Sequence, residues 1–313
     1  MQKIINPDRE QWKNLTQRPL AEQVKLNDIV NTVFAEIKRD GDKALKKYSL
    51  LFDKVNLQSF AVSPQQIKEA SEKVPADLKA AIQQAQRNIE KFHAAQAEAG
   101  TVVETSKGVN CWRESRGIES VGIYIPGGTA PLFSTVLMLG IPAKLAGCKN
   151  IILCTPPDAE GSANPVILYT ASLVGISSVF LVGGIQAIAS LTFGTESIPK
   201  VDKIFGPGNQ YVTAAKQAAQ HFGVAIDMPA GPSEVLIIAD DSCNPSFVAA
   251  DLLSQAEHGT DSQVILLSDD ESVIDTTLLE LDKQLASLPR KDIAMKAIEN
   301  SKAIRLKTIS ECI

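Results

Sequence analysis

VGIYIP, residues 121–126, is a short apolar run closed by proline, and runs of the same kind recur at NIILCTPP (150–157), SVFLVGG (178–184) and DKIFGPG (202–208). Each is too short for a helix and too uniformly apolar for a strand with one wet face, so each reads as a strand buried on both sides. Between them lie STVLMLGIPAKLAG (134–147), PVILYTASLVG (165–175) and IQAIASLTFG (185–194), all suited to covering helices. Strand–helix alternation at this spacing predicts a parallel sheet with helices on both faces.

The pattern resumes after the Pro/Gly-rich crossover IDMPAGPSE (226–234): EVLIIAD (234–240), PSFVAADLLSQAEH (245–258) and QVILLSD (263–269). A domain boundary is therefore expected near residue 233. Upstream, VNTVFAEIKRDGDKALKKYSLLFD (30–53) repeats apolar residues at helical spacing with Gly41 as a break. PADLKAAIQQAQRNIEKFHAAQAEAG (75–100) is a second long helix, bounded by Pro75 and Gly100. The fold class is α/β: two Rossmann-like parallel-sheet domains with an N-terminal helical segment. We assign residues 1–20 to an N-terminal arm, 120–233 to one domain, and 21–119 with 234–313 to a discontinuous other.

A chain of 313 residues exceeds one ordinary core, in keeping with two domains. A net charge of −5 argues against a nucleic-acid partner, which would call for a basic face. No apolar run is long enough to span a bilayer, and MQKIINPDREQWKNL has no apolar core of an export signal, so a cytoplasmic protein without a membrane partner is expected. Five cysteines, Cys111, Cys148, Cys154, Cys243 and Cys312, are odd in number and irregularly spaced, as suits a reducing compartment.

Open parallel sheets bind ligands at the carboxyl ends of their strands. Those ends here are YIPGGTAP, FLVGGIQA, IFGPGNQY and MPAGPSEV. Glycine lets backbone N–H groups approach an anionic ligand, and a following helix N-terminus adds its dipole. Four such loops in succession suggest a nucleotide crevice, although neither GxGxxG nor GxxxxGK[ST] occurs. Tyr124, Gln186 and Asn209 are the polar candidates within them. For Gln186 and Asn209, helix capping or first-turn polarity is the alternative.

The helix ahead of SQAEHGTDSQ (254–263) begins with Asn244 and Pro245, an N-cap followed by proline, and Gly259 is expected to stop it. Asp251, Gln255 and His258 at i, i+4 and i+7 share a face. Gln255 and His258 could each offer one atom to a metal, which is at most half of a tetrahedral set. The remaining histidines, His93 and His221, fall in helical stretches that already explain them. Cys111 and Cys148 carry no sign of an activated thiol and read as structural.

The segments YIPGGTAPLFSTVLMLGIPAKLAGCK (124–149), IFGPGNQYV (204–212), IDMPAGPSEVL (226–236), DLLSQAEHGTDSQVILL (251–267) and RNIEKFHAAQ (87–96) together resemble the histidinol dehydrogenase family, and the likeness covers essentially all 313 residues. That resemblance implies a cytosolic, zinc-dependent homodimer that oxidises L-histidinol through L-histidinaldehyde to L-histidine with two NAD⁺, the last steps of histidine biosynthesis. It implies that Tyr124, Gln186 and Asn209 contact NAD within 120–233, that Ser233 contacts substrate, and that Gln255 and His258 hold both zinc and substrate. An unrelated α/β dehydrogenase for another alcohol is disfavoured by AGPSEVL and SQAEHG occurring together.

The family's Glu-His acid/base pair, in a GPEH motif, and an aspartate and histidine that complete the zinc set lie beyond the position that matches Ile313, the histidine coming from the dimer partner. TISECI (308–313) stops inside a helical pattern without a capping signal. We therefore expect a shortened chain that holds no catalytic base, is inactive alone and dimerises weakly. The second expectation is a catalytically inactive module that retains nucleotide binding or dimerisation.

Overall fold

The computed structural model describes residues 1–17, 23–97, 100–127, 132–229, 234–260 and 262–313. The chain forms two compact units, Gln23–Ala230 and Met1–Glu22 with Gly231–Ile313. In chain order the first elements are β1 (Gln2–Ile5), α1 (Arg9–Leu15), α2 (Gln23–Asp40), α3 (Asp42–Tyr48), α4 (Pro64–Lys73) and α5 (Ala76–Ala94). They are followed by β2 (Val103–Ser106), β3 (Val109–Cys111), β4 (Ser120–Tyr124), α6 (Phe133–Leu145), β5 (Asn150–Thr155), α7 (Pro165–Leu173), β6 (Ser178–Leu181), α8 (Gly184–Phe193), β7 (Lys203–Phe205), α9 (Gln210–Gln220) and β8 (Ala225–Ile226). The last are β9 (Glu234–Ile238), α10 (Pro245–Ala256), β10 (Gln263–Ser268), α11 (Glu271–Ser287), α12 (Lys291–Glu299), β11 (Lys302–Arg305) and the short α13 (Ile309–Cys312).

In the larger unit the sheet order is β6-β5-β4-β7-β8, all parallel. Counted from β4 this is 3-2-1-4-5, the doubly wound order in which successive crossovers reverse direction between the first and fourth strands. Ile123, Ile125, Leu153, Val179 and Ile204 are buried within it, beneath Leu137 and Ile141 of α6, Ile167 of α7 and Ile188 and Leu191 of α8. Burying one such aliphatic side chain contributes about 1.5–3 kcal/mol, so two-sided coverage is what stabilises a sheet of this composition.

The helical segment from residue 23 belongs to this same unit. Val30, Val33, Phe34 and Ile37 of α2 join the core that contains the sheet. Phe34, Phe193 of α8 and Phe222 form an aromatic cluster, with Phe193 and Phe222 edge-on at 4.8 Å. Gly41 breaks α2 from α3 as expected, with φ of +53°. Residues 60–62 run antiparallel along the free edge of β6, where the Val62 N–H donates to the Val179 carbonyl at 2.9 Å and the Leu181 N–H to that of Phe60 at 2.7 Å. An edge that would otherwise expose unpaired backbone is thus covered.

This grouping corrects the expected partition, which joined 21–119 with 234–313. The apolar faces of α2, α4 and α5 pack on α8, α7 and α6. Helical periodicity predicts an apolar face but not which sheet receives it. The β2–β3 hairpin, exposed throughout, also goes beyond the sequence reading.

The smaller unit has the parallel order β1-β11-β10-β9. Every residue of β10 is buried, as a central strand requires. One face carries Leu252, Leu253, Ile274, Leu281 and Ile298, and the other Ile265, Leu267, Ile304 and Leu306. Residues 2–5 are an edge strand of this sheet and not a free arm, because β1 pairs along β11. Among the described residues no helix is long and apolar enough to cross a membrane.

Gly206, immediately after β7, has φ of +131°, and a Cβ built on it would lie 2.1 Å from the Tyr124 carbonyl oxygen. Replacing it should force β4 and β7 apart at the point where the crossovers diverge. Gly206→Ala is expected to lower the unfolding free energy by about 3 kcal/mol or more in urea denaturation. A loss below about 1 kcal/mol would show that this backbone yields readily.

Candidate functional site

In a doubly wound sheet ligands bind where the strand order reverses, outside the carboxyl ends of the flanking strands, which here are β4 and β7. Tyr124 ends β4, Gly206 follows β7, and Gly183 and Gly184 lead from β6 into α8. Of the sequence-predicted residues, Tyr124, Gln186 and Asn209 lie at this end of the sheet. The Gly184 N–H donates to the Tyr124 hydroxyl at 3.0 Å, and Gly184 itself has φ of +58°. The oxygen of the Gln186 amide lies against Gly184, within 3.0 Å of where a Cβ would stand. Gly206 presses on the Tyr124 carbonyl, and three residues later Asn209 caps α9.

Tyr124 is almost wholly enclosed, and burial pushes its hydroxyl up to about 12. It is a neutral group throughout the working range of pH, and its oxygen already accepts one backbone N–H. Gln186 is fully buried in the first turn of α8. Its Nε2 donates to Asp53 Oδ2 at 3.1 Å, while its Oε1 finds no partner among the described residues. Burial raises the Asp53 carboxyl above its usual range, and the bond from Gln186 partly offsets this. Asn209 is exposed, and its Oδ1 accepts from the N–H groups of Tyr211 and Val212, both at 3.1 Å. The capping alternative therefore describes what its oxygen does. The two helix starts differ: Asn209 caps α9, whereas glycine at the N-cap of α8 offers no side chain to do so.

Three polar residues here escaped sequence reasoning. Asp53 comes from a π-helical turn, 49–53, and is 133 positions from its partner Gln186. Lys216, inside α9, is 4 % exposed and forms an ion pair with Asp227, just after β8. The one available signal was a lysine on the otherwise small, apolar face of VTAAKQAAQ.

In the smaller unit α10 begins as expected, with Asn244 Oδ1 accepting from the Ser246 N–H at 3.0 Å and proline following. It ends at Ala256 with Glu257 as the C-cap, two residues short of His258. The shared face predicted for Asp251, Gln255 and His258 thus holds only for the first two, because the helical repeat stops before the third. His258 is exposed, its backbone N–H donating to the Gln255 carbonyl at 3.2 Å. Gln255 is half-buried, and its Nε2 is enclosed with no partner among the described residues. A half-turn of that amide would present its oxygen instead. An amide and an imidazole three residues apart, neither with a side-chain partner among the described residues, fit the donor chemistry of a partial zinc set. Among the described residues no group of three or more His, Cys, Asp or Glu side chains converges to hold a metal. Ser233 lies outside the described residues, as do 128–131 of YIPGGTAP.

The other candidates have local explanations. His93 Nδ1 lies 3.0 Å from Gln96 Oε1 at the end of α5, and His221 is the C-cap of α9. Cys154 is buried in β5, and burial raises its thiol well above the ordinary range, as it does less strongly for Cys148. Neither is a ready thiolate. Cys111 is exposed on the β2–β3 hairpin, with Sγ 3.7 Å from Thr105 Oγ1.

Comparison with known proteins agrees with this architecture. The family model described as histidinol dehydrogenase matches residues 16–313. Histidinol dehydrogenase of Bacteroides thetaiotaomicron is 54 % identical over 314 residues, which cover 100 % of this chain and 73 % of that protein. The enzyme of the same name from Bacteroides fragilis is 55 % identical over 313 residues, with the same coverage. The crystal structure of histidinol dehydrogenase from Elizabethkingia anophelis matches with a TM-score of 0.95 at 62 % identity, over 100 % of this chain and 72 % of that one. With a family match over nearly its whole length and such identity throughout, the chain belongs to the histidinol dehydrogenase family.

Proposed function

We propose that these residues form the nucleotide-binding part and half of the metal centre of a zinc-dependent enzyme that oxidises L-histidinol to L-histidine with two NAD⁺. The family supports histidinol oxidation in histidine biosynthesis. The observation that carries the finer reading is the meeting of Tyr124, Gln186 and Asn209 around the switch point of a doubly wound sheet. These are the residues that the family resemblance pairs with NAD, and the crevice is where such sheets hold dinucleotides.

NAD⁺ when bound supplies the hydride acceptor, and zinc a fixed anchor for the substrate's amine and imidazole nitrogens. The chain's own residues orient these groups. The uncapped N-terminus of α8 offers backbone N–H groups and a positive dipole end to the pyrophosphate. The unpartnered Gln186 Oε1 accepts from an N–H or O–H of the nucleotide, and the enclosed Tyr124 ring gives it an apolar wall. Gln255 and His258 would hold the metal, and with Ser233 would face substrate. In this reading the chain works in the cytoplasm as part of a homodimer. In this reading neither the general base that takes the hydroxyl proton nor the remaining metal ligands are among Tyr124, Gln186, Asn209, Ser233, Gln255 and His258. Two ligands alone hold zinc far more weakly than a full set. An inactive module that keeps nucleotide binding is the second reading, motivated by three polar candidates at the β4–β7 end of one sheet beside only two metal-donor candidates at the end of α10.

The purified 313-residue chain, supplied with zinc, NAD⁺ and L-histidinol, is expected to form no NADH while still binding NAD⁺. Turnover would place the base within these residues, at His93, His221 or a carboxylate. Gln186→Met should weaken NAD⁺ binding about tenfold in calorimetric titration and change the melting temperature little, because it removes an unsatisfied buried acceptor together with the donor to Asp53. Unchanged affinity would remove Gln186 from the nucleotide site.

A further inference from the structure

A lysine that is 4 % exposed inside α9 is expensive to bury, and its contacts show what it does there. Lys216 Nζ donates to the Gly206 carbonyl at 2.7 Å and pairs with Asp227 Oδ1. The other oxygen, Asp227 Oδ2, accepts from the Gly206 N–H at 2.8 Å. One residue of the switch-point turn is thus held at both its donor and its acceptor by a single ion pair. Asp227 is in turn fixed by its own N–H, which donates to the Ile204 carbonyl of β7 at 3.2 Å.

A buried ion pair is weak evidence for stability, because well-packed apolar residues of similar volume often do as well or better. Here the pair grips a backbone that a tight approach already strains. Gly206 sits at φ of +131° against the Tyr124 carbonyl, and three residues on the chain enters α9 at Asn209. Without the grip, the carbonyl of Gly206 is free to rotate and Gly206-Pro207-Gly208 can shift relative to β4. A shift of about 1 Å in a positioning element costs on the order of a hundredfold in ligand or transition-state geometry.

We propose that Lys216 and Asp227 are positioning residues for the dinucleotide, clamping the Gly206-Pro207-Gly208 turn so that Asn209 is preset against the cofactor. This rests on the reading of the β4–β7 crevice as the NAD site, and the test separates the two. Calorimetric titration of NAD⁺ is made into the 313-residue chain and into K216M/D227N, which removes both charges together. The amide introduced at 227 still accepts from the Gly206 N–H, so only the hold on its carbonyl is lost. The expected result is a Kd raised about tenfold or more with circular dichroism and melting temperature close to those of the parent. A variant that binds as the parent does overturns the clamp and leaves the nucleotide reading standing. A parent chain that does not bind NAD⁺ overturns that reading and the clamp with it.

Hydrogen exchange on the parent chain gives a second test that needs no variant. The Gly206 amide, which donates to Asp227, is expected to be protected before NAD⁺ is added, and those of Gly208 and Asn209 to exchange more slowly after. A turn that exchanges freely until nucleotide binds would show that it is not preset, and would overturn the proposal.

Discussion

The passage of Gly206 beneath the carbonyl of Tyr124 is the constraint on which the larger unit depends. β4 and β7 are neighbours in a parallel sheet, yet the helices that follow them must leave on opposite faces. The chain after β7 therefore turns close against the end of β4, and a residue with any side chain would place its Cβ 2.1 Å from the Tyr124 oxygen. Glycine satisfies that spacing, and the backbone conformation it adopts aims α9 away from α6. From this one turn follow the crevice, the placement of Asn209 at a helix start, and the approach of α8 to the Tyr124 hydroxyl.

What was legible in the residues is what local physics decides. VGIYIP and its successors carry their burial in their composition, and each of the four became a strand of one parallel sheet. Gly41, Asn244 and Pro245 act where a chain break or a helix start calls for their backbone preferences. The strand-end placement of Tyr124, Gln186 and Asn209 was legible because each follows or ends an apolar run of the sheet. Asp53 was not, since it approaches Gln186 from 133 positions away and nothing in SLLFD marks it. Lys216 and Asp227 are separated by the end of α9 and the whole of β8, so the ion pair exists only once β8 has docked beside β7. The assignment of 21–119 failed for the same reason, because an amphipathic stripe states that it wants a partner and not which one.

At the end of α10 the difference between residue type and residue position matters. Gln255 and His258 have the atoms a metal needs, and the helix dipole at its C-terminal end favours a cation. The helix nevertheless stops at Ala256, so the two donors stand on different backbone, Gln255 in the last turn of α10 and His258 on the turn that follows.

The two unpartnered amides point the same way. Leaving a buried polar atom unsatisfied costs about 1–3 kcal/mol, a large fraction of the net stability of a domain. Gln186 Oε1 and Gln255 Nε2 are both enclosed without a partner among the described residues. Asp53 decides which end of the Gln186 amide is spent on the protein: a carboxylate can only accept, so Nε2 turns toward it and the oxygen is left over. An acceptor held in this way is matched by a ligand that brings an N–H or O–H, and is mismatched by a phosphate oxygen. Within one crevice the fold thus separates an uncapped helix start, suited to the anionic part of a dinucleotide, from a buried carbonyl suited to its hydroxyl or amide groups.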